Sequence, residues 1–428
     1  MTENKELDLD GQQAYLRPGN PAWQPLTEDA LEAIFAVNAP VEDTPDARKK
    51  YLADSKQSLS DALSGGLQLP NLALFAGSGT SLGEVGGPSM WDLWRRCMWE
   101  SPEVPDGHDD FGVLKDQASA VCEQVKYDIG DSPNIEHFLS QCEAYLGFND
   151  DGAVSKFLIE VKSIILGECS SFIEGGNCDL SSYQTILQRL ARRRVRDPRL
   201  KIFTTNYDLC FEVSSAQLGM VLVDGFSYTQ ESIFDGRYFD YDFVKRESDS
   251  HEFVEGVFQL YKLHGSVSWE RRDGSVYQSV NPKAEDAALI YPAKGKYQQS
   301  FVQPHLELFS RYIESLRKPN SCILVAGFGF NDDHLSEPII SAIKSNPGLR
   351  LIVADRNACS NISRSRSGEA VSPYWAELAD LSGKGFDIHV LNLSFSELAN
   401  TIPNLRALSP AERLSKEVRM AGRHHGNS

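Results

Sequence analysis

Basic residues are scarce in this chain relative to acidic ones. Its 428 residues include 42 Lys and Arg against 60 Asp and Glu, which gives a formal net charge of −18. An acidic protein is repelled by the phosphates of DNA and RNA and by anionic lipid headgroups. We therefore expect no direct nucleic-acid binding and no attachment to a membrane surface.

Long hydrophobic runs and a secretory leader are also missing. No stretch approaches the ~18 consecutive apolar residues of a membrane-spanning helix. The first residues, MTENKELDLDGQQ, lack the basic segment and the apolar core of a leader. Both absences favour a cytoplasmic protein.

Paired cysteines are absent too. No two of the eight cysteines form a Cys-x-x-Cys pair, and none stands near a histidine at a spacing typical of zinc ligands. We expect reduced, mostly buried thiols and no zinc. The cysteines are Cys97, Cys122, Cys142, Cys169, Cys178, Cys210, Cys322 and Cys359.

The composition is otherwise that of a folded protein, with 41% hydrophobic and 24% charged residues. A chain of this length exceeds one small core. The patterns divide it into an N-terminal extension at 1–66, a Rossmann-like domain at 67–99 and 197–400, a helical insertion at 100–196 and a C-terminal tail at 401–428.

Short apolar runs separated by helical stretches predict the α/β class, with a doubly wound, mainly parallel sheet covered on both faces. Asp273-Gly274 further predicts a hairpin turn between 266–269 and 276–277. Helical spacing of apolar residues predicts a helix at 47–63 and four in the insertion, at 113–127, 135–146, 154–174 and 183–194. The predicted strands are 72–76, 201–204, 220–223, 258–263, 322–326, 349–354 and 388–393.

A turn of small residues, Gly77-Ser78-Gly79-Thr80-Ser81, follows the first predicted strand. Glycine has no Cβ, so backbone N–H groups there can approach a phosphate closely. The turn therefore predicts a pyrophosphate-binding site. A plain strand-to-helix turn is the alternative that the residues leave open.

Candidate site residues also follow other predicted strands. Each alone could be a helix cap or a turn residue. Because the carboxyl ends of parallel strands meet along one rim, we expect the groups to converge on one crevice. They are Thr205, Asn206 and Asp208 after 201–204, His264 after 258–263, Gly327, Phe328 and Asn331 after 322–326, and Asp355 after 349–354.

In this order the motifs resemble the sirtuin-like NAD-binding family, in particular its bacterial branch in anti-phage defence. The resemblance spans residues 67–400. The glycine turn is similar to the family's glycine motif. The other matching segments are Thr204-Thr-Asn206-Tyr-Asp208, Leu263-His-Gly-Ser266 and Gly327-Phe-Gly-Phe-Asn331-Asp-Asp333.

The resemblance implies NAD+ as the substrate and His264 as the catalytic histidine, with Asn206 and Asp208 beside it. Sirtuin deacylases carry a zinc module with two cysteine pairs, which this sequence lacks. We therefore expect an NAD+ hydrolase that releases nicotinamide and ADP-ribose. The alternatives are an NAD-dependent protein deacylase or ADP-ribosyltransferase, and a non-catalytic NAD or ADP-ribose sensor.

The residue types suit this chemistry. Cleavage of an N-glycosidic bond passes through an oxocarbenium-like transition state. The amide of Asn206 can hold a ribose hydroxyl or a water, Asp208 can orient its neighbours, and His264 can accept a proton near neutral pH. Asp355 could accept a hydrogen bond from the adenosine ribose.

The defence branch implies an effector that depletes NAD+ and so arrests an infected cell. Such an activity requires control, and we expect a homo-oligomer. A HerA-type hexameric ATPase is a common neighbour in that branch and a possible partner here. The sequence has no Gly-x-x-x-x-Gly-Lys-Ser/Thr motif, so any such ATPase would be another chain.

Overall fold

A computed structural model describes residues 9–37, 39–101, 113–130, 134–175, 178–193, 197–247, 250–289, 303–369 and 371–405. Most of the predicted C-terminal tail, 406–428, lies outside the described residues.

The strands are β1 (Ala14–Leu16), β2 (Gln24–Pro25), β3 (Asn71–Ala76), β4 (Leu200–Thr204), β5 (Val221–Val223), β6 (Val244–Glu247), β7 (Ser250–Phe253), β8 (Val257–Lys262), β9 (Gly265–Arg272), β10 (Ser275–Gln278), β11 (Ala287–Leu289), β12 (Ser321–Ala326), β13 (Leu349–Asp355) and β14 (Ile388–Asn392).

The α-helices are α1 (Glu28–Val37), α2 (Pro45–Gly66), α3 (Met90–Met98), α4 (Asp116–Val125), α5 (Ile135–Leu146), α6 (Gly152–Glu174), α7 (Ser181–Leu190), α8 (Cys210–Leu218), α9 (His305–Arg317), α10 (Asp333–Ser345), α11 (Ala358–Ser367), α12 (Tyr374–Gly383) and α13 (Phe395–Thr401).

A nine-stranded sheet forms the centre of the molecule, in the order β2-β1-β14-β13-β12-β3-β4-β8-β5. The strands from β14 to β5 run parallel. From β3 the chain continues to β4 on one side and later places β12 on the other, so the strand order reverses between β3 and β12. The predicted α/β class and doubly wound sheet are confirmed.

The strands are apolar on both faces because helices cover both sides. In β3, Ala73 and Phe75 belong to one hydrophobic core, whereas Leu72, Leu74 and Ala76 belong to the core on the opposite face. Helices α9 to α12 contribute to the first core, and α2, α7, α8 and α13 contribute to the second. Two-sided burial explains why these strands show no polar alternation.

The N-terminal segment is integrated into this sheet. Strand β1 pairs antiparallel with β14, and β2 pairs with β1. Helix α2 begins after Thr44, whose hydroxyl accepts a hydrogen bond from the Ala47 N–H, and buries Leu59 and Leu63 against the sheet. The sequence predicted the helix but not the two short strands.

A third core lies in a group of helices, α3 to α6, which we call the helical unit. Helix α6 presents Val154, Phe157, Val161 and Ile165 to this core at helical spacing. Helix α7 instead packs on the central sheet. The domain boundaries at 100 and 196 remain a prediction.

A small sheet, β10-β9-β11, follows the central strand β8. Strands β9 and β10 form the predicted hairpin, with positive φ at Asp273 and Gly274 as a two-residue turn requires. Among the described residues no helix is long and apolar enough to cross a membrane.

Backbone packing joins the turn after β3 to the turn after β12, where the strand order reverses. Gly79 donates its N–H to the carbonyl oxygen of Gly327 at 2.8 Å. Gly327 has a φ of +58°, and a Cβ there would lie 2.6 Å from the backbone carbon of Gly79 and from the nitrogen of Thr80. A Cβ at Gly77 would lie 2.5 Å from the Gly327 oxygen. These glycines are therefore required by backbone-to-backbone contact.

We expect Gly327→Ala to destabilise the protein by about 2–5 kcal/mol, because it adds left-handed backbone strain and an overpacked contact. Gly368→Ala is the control. Its φ of +79° imposes the same left-handed backbone strain, but nothing lies within 4 Å of the added Cβ, so the substitution adds no overpacked contact. Urea unfolding measures both. Equal losses of unfolding free energy would contradict the packing argument.

Candidate active site

A cavity of about 720 Å³ lies at the carboxyl ends of β3, β4, β8 and β12 and beside the helical unit. This volume is within the ~300–1,000 Å³ usual for small-molecule sites. It also stands where the strand order reverses, as ligand sites of doubly wound sheets do. The lining includes Pro88, Met90, Leu93, Asn134, Glu136, His137, Cys169, Phe172, Tyr207, Gly329, Phe330, Asp332, Asp333, Val371, Ser372 and Pro373.

The structure brings most of the predicted site residues to this cavity. Those that line it are Ser78, Ser81, Thr205, Asn206, Asp208, His264, Phe328 and Asn331. The predicted residues that do not line it are Gly77, Gly79, Thr80, Gly327 and Asp355. Asp355 ends β13, one strand away, and accepts a hydrogen bond from the Asn357 N–H at 2.8 Å.

Backbone N–H groups of the glycine turn form hydrogen bonds within the protein. The N–H groups of Gly77, Gly79, Thr80 and Ser81 donate to carbonyl oxygens of the protein. They are therefore engaged in the turn itself and in its contact with the turn after β12. The glycines are explained by this packing, and phosphate binding by the turn stays a prediction.

Asn206 is held by its amide nitrogen. Nδ2 donates to Ser81 Oγ at 2.8 Å and to Thr80 Oγ1 at 3.2 Å. Its Oδ1 is buried and has no hydrogen-bond partner among the described residues. An unpaired buried acceptor costs ~1–3 kcal/mol. A ligand hydroxyl or a water that donates to Oδ1 would therefore bind favourably.

Asp208 uses both carboxylate oxygens within the protein. Oδ2 accepts from Ser81 Oγ at 2.6 Å, and Oδ1 accepts from the N–H of Cys210 at the start of α8. Ser81 also contacts the Tyr183 hydroxyl at 3.0 Å. Asp208 therefore fixes Ser81, which in turn fixes Asn206.

His264 is 2% exposed, and its ring stacks on that of His334 with centroids 5.7 Å apart. Burial lowers the pKa of His264 well below its ordinary value, and His334 and His305 lower it further. Its Nε2 is buried without a hydrogen-bond partner in the described part of the chain. A neutral imidazole carries one unprotonated nitrogen, which can accept a proton.

A partly buried ion pair connects the end of β8 to the loop after β4. Lys262, 2% exposed, precedes His264 by two residues and donates to the backbone oxygen of Asp208. Its Nζ also lies 2.9 Å from Glu212 Oε1 on α8. The end of β8 is thereby attached to the loop that carries Asn206.

Sequence reasoning missed one acidic residue of the lining, Glu136, whereas Asp332 belongs to the predicted motif at residues 327–333. Glu136 comes from α5 and Asp332 from the loop before α10. Burial raises the pKa of both carboxyl groups, and the charge of Asp332 raises that of Glu136 further. Glu136 gave no sequence signal, because only tertiary packing brings α5 to the sheet rim.

Within the described residues, no group of three or more His, Cys, Asp or Glu side chains is placed to hold a metal ion. All eight cysteines are free thiols, and all but the half-buried Cys178 are buried. The absence of zinc in this protein remains a prediction.

Residues 200–374 match a family sequence profile described as SIR2-like domain. This part of the chain is therefore similar to SIR2-like domains. It contains Asn206, His264 and Asn331, so the resemblance to the sirtuin-like family is confirmed for this segment. The anti-phage branch stays a prediction.

A solved structure described as "Structural Basis for the Mechanism and Regulation of Sir2 Enzymes" is 13% identical to this chain. The alignment covers 82% of this chain and 95% of that one, with a TM-score of 0.36. No curated protein sequence matches the chain.

We expect the His264 ring to stay neutral as the pH falls through 6.5, the approximate ordinary pKa of histidine, because its pKa is lowered in the folded state. Nitrogen-15 NMR of the labelled ring follows this directly. In urea-unfolded protein the same ring should titrate near its ordinary pKa. A folded-state midpoint at or above that of the unfolded chain would contradict the assignment.

Proposed function

We propose that this protein is an NAD+ hydrolase that cleaves the bond between nicotinamide and ribose. The observation that carries the proposal is that Asn206 and His264 line the same cavity and that each has a buried, unpaired polar atom among the described residues, Oδ1 and Nε2 respectively. Both residues lie in the segment that matches the SIR2-like profile. The match to that family supports use of NAD+.

The reaction adds one water and releases one proton. The bond between the ribose carbon and the ring nitrogen breaks, nicotinamide departs neutral with the bonding electrons, and the water oxygen bonds to the ribose carbon. Asn206 Oδ1 accepts a hydrogen bond from a ribose hydroxyl or from the water. His264, neutral in the folded protein, takes the proton.

The acidic side chains of the cavity lining suit the cationic nicotinamide ring better than the diphosphate. Glu136, Asp208 and Asp332 line the cavity, and its described lining has no Lys or Arg. A pyridinium cation beside Glu136 and Asp332 would favour their ionised forms, against the burial that raises their pKa values, whereas a diphosphate would not. The contacts proposed for the Gly77–Ser81 turn and for Asp355 then concern the other half of the dinucleotide.

We expect purified protein to convert NAD+ into nicotinamide and ADP-ribose. Asn206→Ala and His264→Ala should each lower the rate at least ~100-fold, because each removes a group that acts on the reacting atoms. Mass spectrometry of the products measures this.

His251→Ala, which alters an exposed histidine of β7, is the matched control and should keep the wild-type rate. Transfer of labelled ADP-ribose to protein would instead indicate a transferase. Transfer of the acyl group from an acylated peptide to ADP-ribose would indicate a deacylase. Binding of NAD+ in calorimetry without any cleavage of NAD+ would indicate a sensor. Any of these outcomes would replace the hydrolase proposal.

We further propose, from the resemblance, that this activity serves anti-phage defence and is controlled by assembly, with a HerA-type ATPase as a possible partner chain. We expect multi-angle light scattering to find an oligomer of this chain, alone or with that ATPase, and the rate of NAD+ cleavage to rise with assembly. A monomer with full activity would contradict this control.

A further inference from the structure

Tyr207 stands between Asn206 and Asp208 in the sequence but points into the helical unit. It is 7% exposed and belongs to the hydrophobic core formed by α3 to α6. Val267, three residues after His264, belongs to the same core. The two loops that carry Asn206 and His264 are therefore both anchored in the helical unit.

Tyr207 also joins the two loops directly. Its backbone oxygen accepts the N–H of Val267 at 3.0 Å. Its hydroxyl donates to Glu136 Oε1 on α5 at 3.1 Å. One residue thus contacts the loop of Asn206, the loop of His264 and the helical unit.

The hydroxyl of Tyr207 requires an explanation beyond packing, because phenylalanine would fill the same apolar volume. A buried phenol needs a hydrogen-bond partner, and here the partner is a carboxyl group on a different structural unit. Glu136 is itself part of the cavity lining. A shift of α5 relative to the sheet would therefore change both the cavity wall and the position of Tyr207.

We propose that Tyr207 is a positioning residue, which sets Asn206 relative to His264 and makes this alignment depend on the helical unit through the hydrogen bond to Glu136. The proposal rests on the proposed function for its effect on rate. It places the regulation of the site in the contact between α5 and the loop after β4.

The test compares Tyr207→Phe with Tyr145→Phe in the intact protein. Tyr145 is a matched control, because its hydroxyl donates to Asp151 Oδ2 at 3.3 Å within the helical unit and away from the cavity. We expect Tyr207→Phe to lower kcat about tenfold with little change in KM, since misalignment acts on the reacting atoms rather than on binding. Tyr145→Phe should keep the wild-type kcat.

Variants of Glu136 provide a second test of the same hydrogen bond. Glu136→Gln retains a carbonyl acceptor for the phenol and should lower kcat less than Glu136→Ala does. Combining Glu136→Ala with Tyr207→Phe should cause no loss of kcat beyond that of the more impaired single variant, because both break one hydrogen bond. Fully additive losses would overturn the proposal.

Amide hydrogen exchange without NAD+ separates this inference from the proposed function. Tyr207→Phe should speed exchange at Val267, whose N–H donates to Tyr207, and Tyr145→Phe should not. Unchanged exchange, or unchanged kcat in an active protein, overturns the positioning role. If the wild type cleaves no NAD+, the proposed function fails, and the exchange result alone decides the inference.

Discussion

The contact between the turn after β3 and the turn after β12 is the constraint on which the site depends. Gly79 and Gly327 meet backbone to backbone, with no room for a Cβ on either. This contact fixes Thr80 and Ser81, whose hydroxyls hold the amide of Asn206. The sheet thereby determines where the unpaired Asn206 oxygen lies.

The cavity is formed jointly by the sheet and the helical unit. The sheet supplies Asn206 and His264, and α5 supplies Glu136 and so one wall of the cavity. Burial acts in opposite directions on these groups, lowering the pKa of the histidine and raising that of the carboxyl. Both shifts favour neutral forms, as is expected where water is excluded.

Much of the fold was predictable from the sequence. Each of the seven predicted strands is present, with ends that differ by at most one residue, because strands buried on both faces leave continuous apolar runs. The short strands β1 and β2 were missed, since three and two residues carry no periodicity and are held by pairing with β14. Helix 183–194 was predicted as part of the insertion, yet α7 packs on the sheet.

The sequence by itself determined the parallel α/β sheet and the polar residues at its strand ends, because the alternation of apolar runs with helical stretches is visible in local sequence patterns. Only the tertiary structure decided that the glycines serve backbone packing, that Asp208 holds Ser81, and that Tyr207 reaches Glu136. These are contacts between residues far apart in the chain. Their existence depends on how strands and helices meet in space, which no local pattern records.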